Sequence, residues 1–238
     1  PNYWKDGRGF FESVDNLFIA DVVARTNALK SGEIHAMANL DPKTIHLLKR
    51  DQSLNIFSTN GNKQATFPMF TDTAPFDNVD VRLALKYALN REEMLQKISK
   101  GQGEVGNDNP IGPANIYRAT TDELPQRQYD PDKAKFHLKK AGLDSLKVSL
   151  STSDTAFDGA VDATQLYAES AKAAGIEIDI LRESNDGYWS NVWLKKPFVA
   201  CYWGGRPTED WIFSQIYAAT ASWNDTKWKN EQFNKLLV

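Results

Sequence analysis

The chain has 238 residues, 41% of them hydrophobic, 25% charged and 11% aromatic, which is material for one large or two modest domains with a real core. That composition excludes a disordered or collagen-like chain. Lys and Arg number 28 against 31 Asp and Glu, a formal net charge of -3, so no global positive field draws in nucleic acid or anionic lipid, and nucleic acid is not an expected partner. Cys201, the single cysteine, cannot form an intrachain disulfide. Cys and His nowhere stand at metal-ligand spacing, so neither metal nor cofactor is expected.

The start, Pro1 to Asp6, has no initiator Met, no charged leader and no apolar run, so a signal peptide is expected to be absent or already removed. No stretch is long and apolar enough to span a membrane. Phe233 to Val238 lies inside an amphipathic pattern with no stop signal, and both ends read as cut.

In chain order, Asp41-Pro42 predicts a short helix to Arg50, with Ile45, Leu47 and Leu48 as its apolar face. Leu54 to Thr59 and Gln64 to Phe70 read as strands of a hairpin around Asn60-Gly61-Asn62. Val79, Leu83 and Tyr87, then Met94 and Ile98, predict two consecutive helices separated by Asn90, which forms a capping box with Glu93. Pro110, Pro113 and Pro125 make 101–128 a long surface loop. Asp130-Pro131 opens the next helix, closed at Gly142. The period then alternates: strand 146–150, helix 159–174, strand 176–181, helix 187–194, strand 198–203, helix 208–219. That is an α/β signature.

Several strings are uninformative. Gly101-Gln102-Gly103-Glu104-Val105-Gly106 matches a dinucleotide-binding string but follows a helix instead of a strand and precedes no helix, so it reads as a cap and loop. His35, His46 and His137 fall in separate elements and read as structural or exposed. Glu209 and Asp210 point about 100° apart on a helix, too divergent for a glycosidase pair. With no nucleophile motif either, enzymatic chemistry has no visible carrier. Asn224-Asp225-Thr226 is a glycosylation sequon that carries no weight by itself.

Aromatic placement is informative, because Trp189, Trp193, Trp203, Trp211, Trp223 and Trp228 crowd together with Tyr188 and Tyr202 near the C-terminal end. Core packing accounts for Trp193 and Trp211. Trp203 differs in ending a strand, before Gly204-Gly205-Arg206-Pro207 and a helix that starts near Thr208. In open α/β sheets ligands bind at the carboxyl ends of strands. There Gly204 and Gly205 would admit a ligand close to the backbone, helix N–H groups would face it, and Arg206 could fork onto a carboxylate. The competing reading is a tight turn with a solvated arginine.

Four strings together resemble the peptide/nickel family of extracellular solute-binding proteins, family 5, the ligand-capturing components of ABC importers. Pro1-Asn2-Tyr3-Trp4 is similar to the family's P-N-Y-W. Leu29-Lys30-Ser31-Gly32-Glu33-Ile34-His35 is similar to L-x-S-G-E-I-D, with His35 in place of Asp. Ala74-Pro75-Phe76-Asp77-Asn78-Val79-Asp80-Val81-Arg82-Leu83-Ala84-Leu85, continuing to Asn90-Arg91, resembles the P-F-x-x-x-x-V-R-x-A-L run that ends in N-R. Tyr129-Asp130-Pro131-Asp132-Lys133-Ala134 with Ala141-Gly142 resembles Y-D-P-x-K-A followed by A-G, with His137 where Leu is usual.

The resemblance covers the chain but only the middle part of longer family members, so it implies a fragment. It implies an α/β, periplasmic-binding-protein-like lobe of the class II type, a mixed sheet with helices on both faces, plus part of a second lobe. Residues 1–71 would belong to the first lobe and 72–238 to most of the second, with the ligand cleft between them. Trp203, Gly204, Gly205, Arg206, Trp189, Tyr202, Trp223 and Asp210 are the expected ligand-binding residues. Peptide-binding relatives place an Asp shortly past the strand-end Trp to pair with the ligand's amino group. Aligning Tyr202 to that Trp puts Gly205 there, so the amine anchor is missing unless Glu209 or Asp210 replaces it. Arg206 instead suggests an anionic group, as in an opine or a modified peptide.

The expected role is therefore solute capture and delivery to the membrane subunits of an ABC permease, by a monomeric periplasmic or membrane-anchored protein without catalysis. The alternatives are a sensor built on a solute-binding lobe, or an enzyme.

Overall fold

The computed structural model describes residues 4–19, 21–58, 61–113 and 115–237. These divide into two compact units, Pro1–Asn55 and Ile56–Val238. Pro1 to Tyr3, with most of the P-N-Y-W string, and Thr59 and Asn60 of the expected hairpin lie outside the described residues.

In the first unit, helix α1 (Val22–Ser31) begins where Asp21 accepts from the Ala24 N–H at 2.7 Å and ends at Gly32, whose φ is 78°. Gly32 and Ile34 donate back to the carbonyls of Leu29 and Ala28, so the Leu29–His35 string is a helix exit built on a residue tolerant of positive φ. Spacing did not predict α1 because Ala28 is its one buried residue. Helix α2 (Ile45–Leu48) is shorter than the helix expected from Asp41 to Arg50. Asp41 does cap locally, accepting from the Lys43 N–H at 2.9 Å, but residues 42–44 form turns.

Residues 54–58, from the end of the first unit to the start of the second, carry no strand, and in the second unit strand β1 (Gln64–Thr66) pairs instead with residues 201–203. The hairpin is thus replaced by a long-range antiparallel pairing, which buries Met69 and Phe70 just beyond β1 while Phe57 stays exposed. Asn78 caps helix α3 (Val79–Ala88), which buries Val81, Ala84, Leu85 and Ala88. Asn90 starts helix α4 (Arg91–Lys97), its Oδ1 accepting from the Glu93 N–H at 3.1 Å and its Nδ2 donating to the Glu93 carboxylate at 3.2 Å.

Among the described residues, 101–128 holds no helix or strand, and the glycine string lies inside this loop. Asp108 pins the loop to α3 through Lys86 at 3.6 Å and to α4 through Arg91 at 2.9 Å, and it ties the two ends of the loop together by pairing with Arg127. Asp130 caps helix α5 (Pro131–Lys140). Strand β2 (Leu146–Thr152), helix α6 (Ala160–Lys172) and strand β3 (Ile176–Arg182) follow as expected.

Helix α7 (Tyr188–Asn191) is shorter than 187–194, and strand β4 (Cys201–Trp203) is shorter than 198–203. Residues 198–200 still bond as sheet. Helix α8 (Glu209–Ile212) gives way to a π-helical turn over 213–217, and α9 (Glu231–Leu236) ends the chain.

The sheet is mixed. β2 and β3 are parallel, Leu146 beside Ile176 and Thr152 beside Arg182. β2 joins the segment leading into β4, with Ser151 N–H donating to the Phe198 carbonyl at 3.1 Å and Ala200 N–H to the Ser151 carbonyl at 2.8 Å. On the far side β4 runs antiparallel to β1, Gln64 beside Trp203. Leu146, Val148, Leu150, Ile176 and Ile178 point inward, while Lys147 and Glu177 pair at the surface, the alternation of a half-buried sheet. Tyr167 on α6 meets Phe198 edge-to-face and donates its hydroxyl to the Leu85 carbonyl at 2.8 Å, locking α6, α3 and the sheet into one core.

Candidate ligand-binding site

The period of β4 decides which aromatics face outward: Cys201 and Trp203 are buried, and Tyr202 between them is exposed. Trp189 from α7 stands edge-to-face on Tyr202, ring centroids 5.6 Å apart, and the Lys63 ammonium lies 4.7 Å over the Tyr202 ring. Both rings keep more than a third of their surface open, as does Trp223. These three form an exposed aromatic ledge.

Behind the ledge lies a second layer. Trp193 packs against Trp189, Trp203 and Trp223 at 5.9, 5.9 and 6.3 Å, and Trp203 meets Trp223 at 6.1 Å. Trp203 is 6% exposed, so it supports the ledge from the interior. Trp193, expected in the core, is partly buried in this layer, whereas Trp211 is 50% exposed and does not belong to the core. α8 and the π-helical turn bury Ile212 and Ile216 instead.

One carboxylate organises the layer. Asp225, 3% exposed, accepts from the indole N–H of Trp203 at 3.1 Å and of Trp193 at 3.2 Å on the same oxygen, Oδ2. Burial pushes its carboxyl up to about 6, against the pull of these indole bonds and of the Cys201 thiol. Tyr188 is fully buried and meets Trp189 edge-to-face, ring centroids 5.4 Å apart. Its hydroxyl donates to the Ala200 carbonyl at 2.7 Å beneath the sheet.

Past Trp203, Gly205 packs so tightly on Asn62 that a Cβ there would collide with the Asn62 side chain. Arg206 is half-buried and held in place: its Nε donates to Gln215 at 2.6 Å and its Nη1 to the Gly204 carbonyl at 2.9 Å. Two of five guanidinium donors are thereby used, which leaves capacity for an anion. The Thr208 hydroxyl accepts from the Trp211 N–H at 3.3 Å. Because α8 lasts only four residues before the π-helical turn, the expected helix N-terminus amounts to one turn.

Gly205, Arg206 and Thr208 share a concavity of about 140 Å³ with Asn62, Ile111 and Asn115, below the roughly 300–1,000 Å³ of sites that enclose drug-sized ligands. Gly204, Trp189, Tyr202 and Trp223 lie outside its lining. Asp210 is exposed and accepts from the Ser214 hydroxyl at 3.1 Å, away from the concavity. Sequence reasoning missed Asn62, Asn115 and Asp225. Asn62 carries the local pattern of a hairpin turn, Asn115 lies in a loop without periodicity, and Asp225 carries no local pattern beyond a sequon. Among the described residues, no group of three or more His, Cys, Asp or Glu is placed to hold a metal ion.

Residues 1–225 match the model of bacterial extracellular solute-binding proteins, family 5, middle region, and the chain belongs to this family. Its relatives include di/tripeptide-binding protein 1 of Pseudomonas aeruginosa strain UCBPP-PA14, 29% identical over 206 residues, which cover 85% of this chain and 35% of that protein. Heme-binding protein A of Haemophilus influenzae is 31% identical over 141 residues, 59% of this chain and 25% of that protein. The chain thus spans about a third or less of these relatives.

Among solved structures, the fold matches the ABC transporter-associated periplasmic binding protein DppA from Helicobacter pylori in complex with peptide STSA. The TM-score is 0.77 at 22% identity, over 92% of this chain and 43% of that one. It also matches NikA from Staphylococcus aureus in complex with Ni(L-His)2, with TM-score 0.76 at 20% identity, over 91% and 46%. The α/β fold of periplasmic binding proteins expected from the sequence is therefore the fold of this chain.

Proposed function

We propose that the chain is part of the substrate-binding component of an ABC importer, which captures an oligopeptide-like or opine-like solute and delivers it to the permease subunits. The observation that carries this reading is the end of β4: an exposed Trp189–Tyr202 ledge beside a concavity into which a positioned Arg206 opens. Family membership and relatives named for di/tripeptides support it.

In this reading aromatic faces hold the apolar parts of the solute, backbone groups around Gly204 and Gly205 hold its peptide-like groups, and Arg206 takes an anionic end. Residues 1–55 contribute to one lobe and 56–238 to most of the other, because β1 pairs with β4 and so moves the expected boundary after residue 71 to before β1, and the solute is enclosed as the lobes close. Asp210 serves at the rim of the cleft. The protein works as a monomer in the periplasm or anchored outside the membrane, without catalysis and without nucleic acid.

The test is tryptophan emission of the intact protein titrated with di- and oligopeptides, opines, polyamines and nickel. A saturable shift with peptides or opines supports the reading. A response to nickel or polyamines alone, or to nothing, overturns the solute class.

A further inference from the structure

The buried acid at position 225 lies outside the concavity that Arg206 lines. It sits 3% exposed, and among the described residues no Lys or Arg stands within ion-pair distance. A buried carboxylate without a cation is costly, and apolar residues of similar volume would fill the space at less cost. What it does have is two indole donors on one oxygen, from β4 and from the turn after α7.

Its own loop is rigid. The Asn224 amide donates to the carbonyls of Ala218 and Trp228 at 3.3 and 2.7 Å, its oxygen takes Thr226 and Trp228, and the Thr71 N–H donates to the Thr226 carbonyl at 2.7 Å. Trp223, two residues before the acid, rests on both clamped indoles, and Trp189 rests on one of them.

We infer that Asp225 is a positioning residue of the solute wall, holding Trp193 and Trp203 on a single carboxylate oxygen so that the exposed rings of Trp189 and Trp223 stand in fixed planes. The inference rests on the proposed function in taking those two rings as solute-facing. A neutral carboxyl accepts more weakly than a carboxylate, so protonation slackens the clamp and the wall with it.

The titratable groups facing Asp225 are the Cys201 thiol on β4 and the Tyr217 phenol on the π-helical turn, with Asp108 acting on Tyr217 from further off. Burial pushes both the thiol and the phenol far up, so neither changes charge between about pH 4.5 and 8. His137, on α5, is engaged with Asp80 and Tyr87.

The experiment is tryptophan emission and acrylamide quenching of the intact, solute-free protein across that pH range, wild type against Asp225→Asn. The variant keeps the volume and an acceptor oxygen but cannot titrate. The wild type should show one transition with midpoint about 6, and the variant none. A flat wild type, or a transition that persists in the variant, overturns the inference. Should Asp225→Asn not fold, the Trp193→Phe/Trp203→Phe protein replaces it, and persistence of the transition there overturns the inference equally.

For any peptide or opine that binds at about pH 7.5, Kd should rise in Asp225→Asn, and an equal Kd overturns the positioning role. Because the pH titration needs no solute, a panel in which nothing binds removes the importer reading and still leaves the clamp decided.

Discussion

The side chain of Asn62 occupies the space that a Cβ on Gly205 would need, and the same side chain blocks a Cβ on Gly112. One asparagine thus sets how closely the strand-end loop and the long 101–128 loop approach. Gly205→Ala must displace either Asn62 or the loop carrying Arg206. The expected result is a folded protein with solute affinity reduced about tenfold, since small misplacements of contact groups cost that much. Asn62→Gly in the Gly205→Ala background removes the collision and should recover affinity. An unchanged affinity in Gly205→Ala would take this loop out of the site.

Arg206 is oriented by Gln215 and by the Gly204 carbonyl, an arrangement that needs the planar fork of a guanidinium. Arg206→Ala is expected to weaken a carboxylate-bearing solute about 10- to 100-fold, the scale of a charge-assisted hydrogen bond, and to leave an uncharged analogue unaffected. Arg206→Lys should resemble Ala more than wild type. Equal losses for charged and uncharged solutes, measured by calorimetry on the intact protein, would contradict an anion-binding role.

Local chemistry was legible in the sequence wherever a cap or period decided the structure. Asn90 with Glu93, Asp130 with Pro131, and Gly142 at φ 79° all act where the pattern places them. The β2–α6–β3 alternation is also where it should be. Long-range pairing was not legible: nothing local tells Gln64–Thr66 to prefer Cys201–Trp203 over the nearer residues 54–58. At the site, the strand-end loop was readable from the end of the strand and its glycines, whereas Trp189 came only from the family resemblance, and the ring that the strand period turns outward is Tyr202, not Trp203. Trp203 is covered because the β4 period turns it inward, whereas Trp211 stays half exposed on α8, whose buried residue is Ile212. Asp225 was invisible because a buried acid has no local signature.

Asn224 occupies the sequon but is 6% exposed, with its side-chain amide bonded on both ends. Asn224→Ala leaves several backbone groups of the 218–228 loop unsatisfied and should destabilise the protein by about 2–4 kcal/mol, read by urea unfolding. A glycan there would require opening the loop. The folded protein exposed to a glycosylating host should therefore keep its unmodified mass at this position, and a native, glycosylated Asn224 would contradict the packing described.

Burial pushes the Asp225 carboxyl up to about 6 from an ordinary 3.8, whereas His137 holds Asp80 and Lys196 holds Glu183 below the ordinary range. The signs oppose. Between about pH 4 and 6 the native state binds a proton at Asp225 that the unfolded chain does not, so stability rises as pH falls through that window, by an amount of the order of 2–3 kcal/mol. Asp80 and Glu183 stabilise the native state above the ordinary carboxylate range and lose that contribution as pH falls below about 4. The wild type should therefore be most stable near pH 4, falling off on the acid side as those carboxylates protonate. Asp225→Asn removes the gain between pH 6 and 4 and leaves the acid limb, so its unfolding free energy should be nearly level from pH 7 to 5. Urea melts in which wild-type stability declines steadily from pH 7 to 5 would mean that Asp225 stays charged there and that its environment is wetter than its burial between two indoles implies.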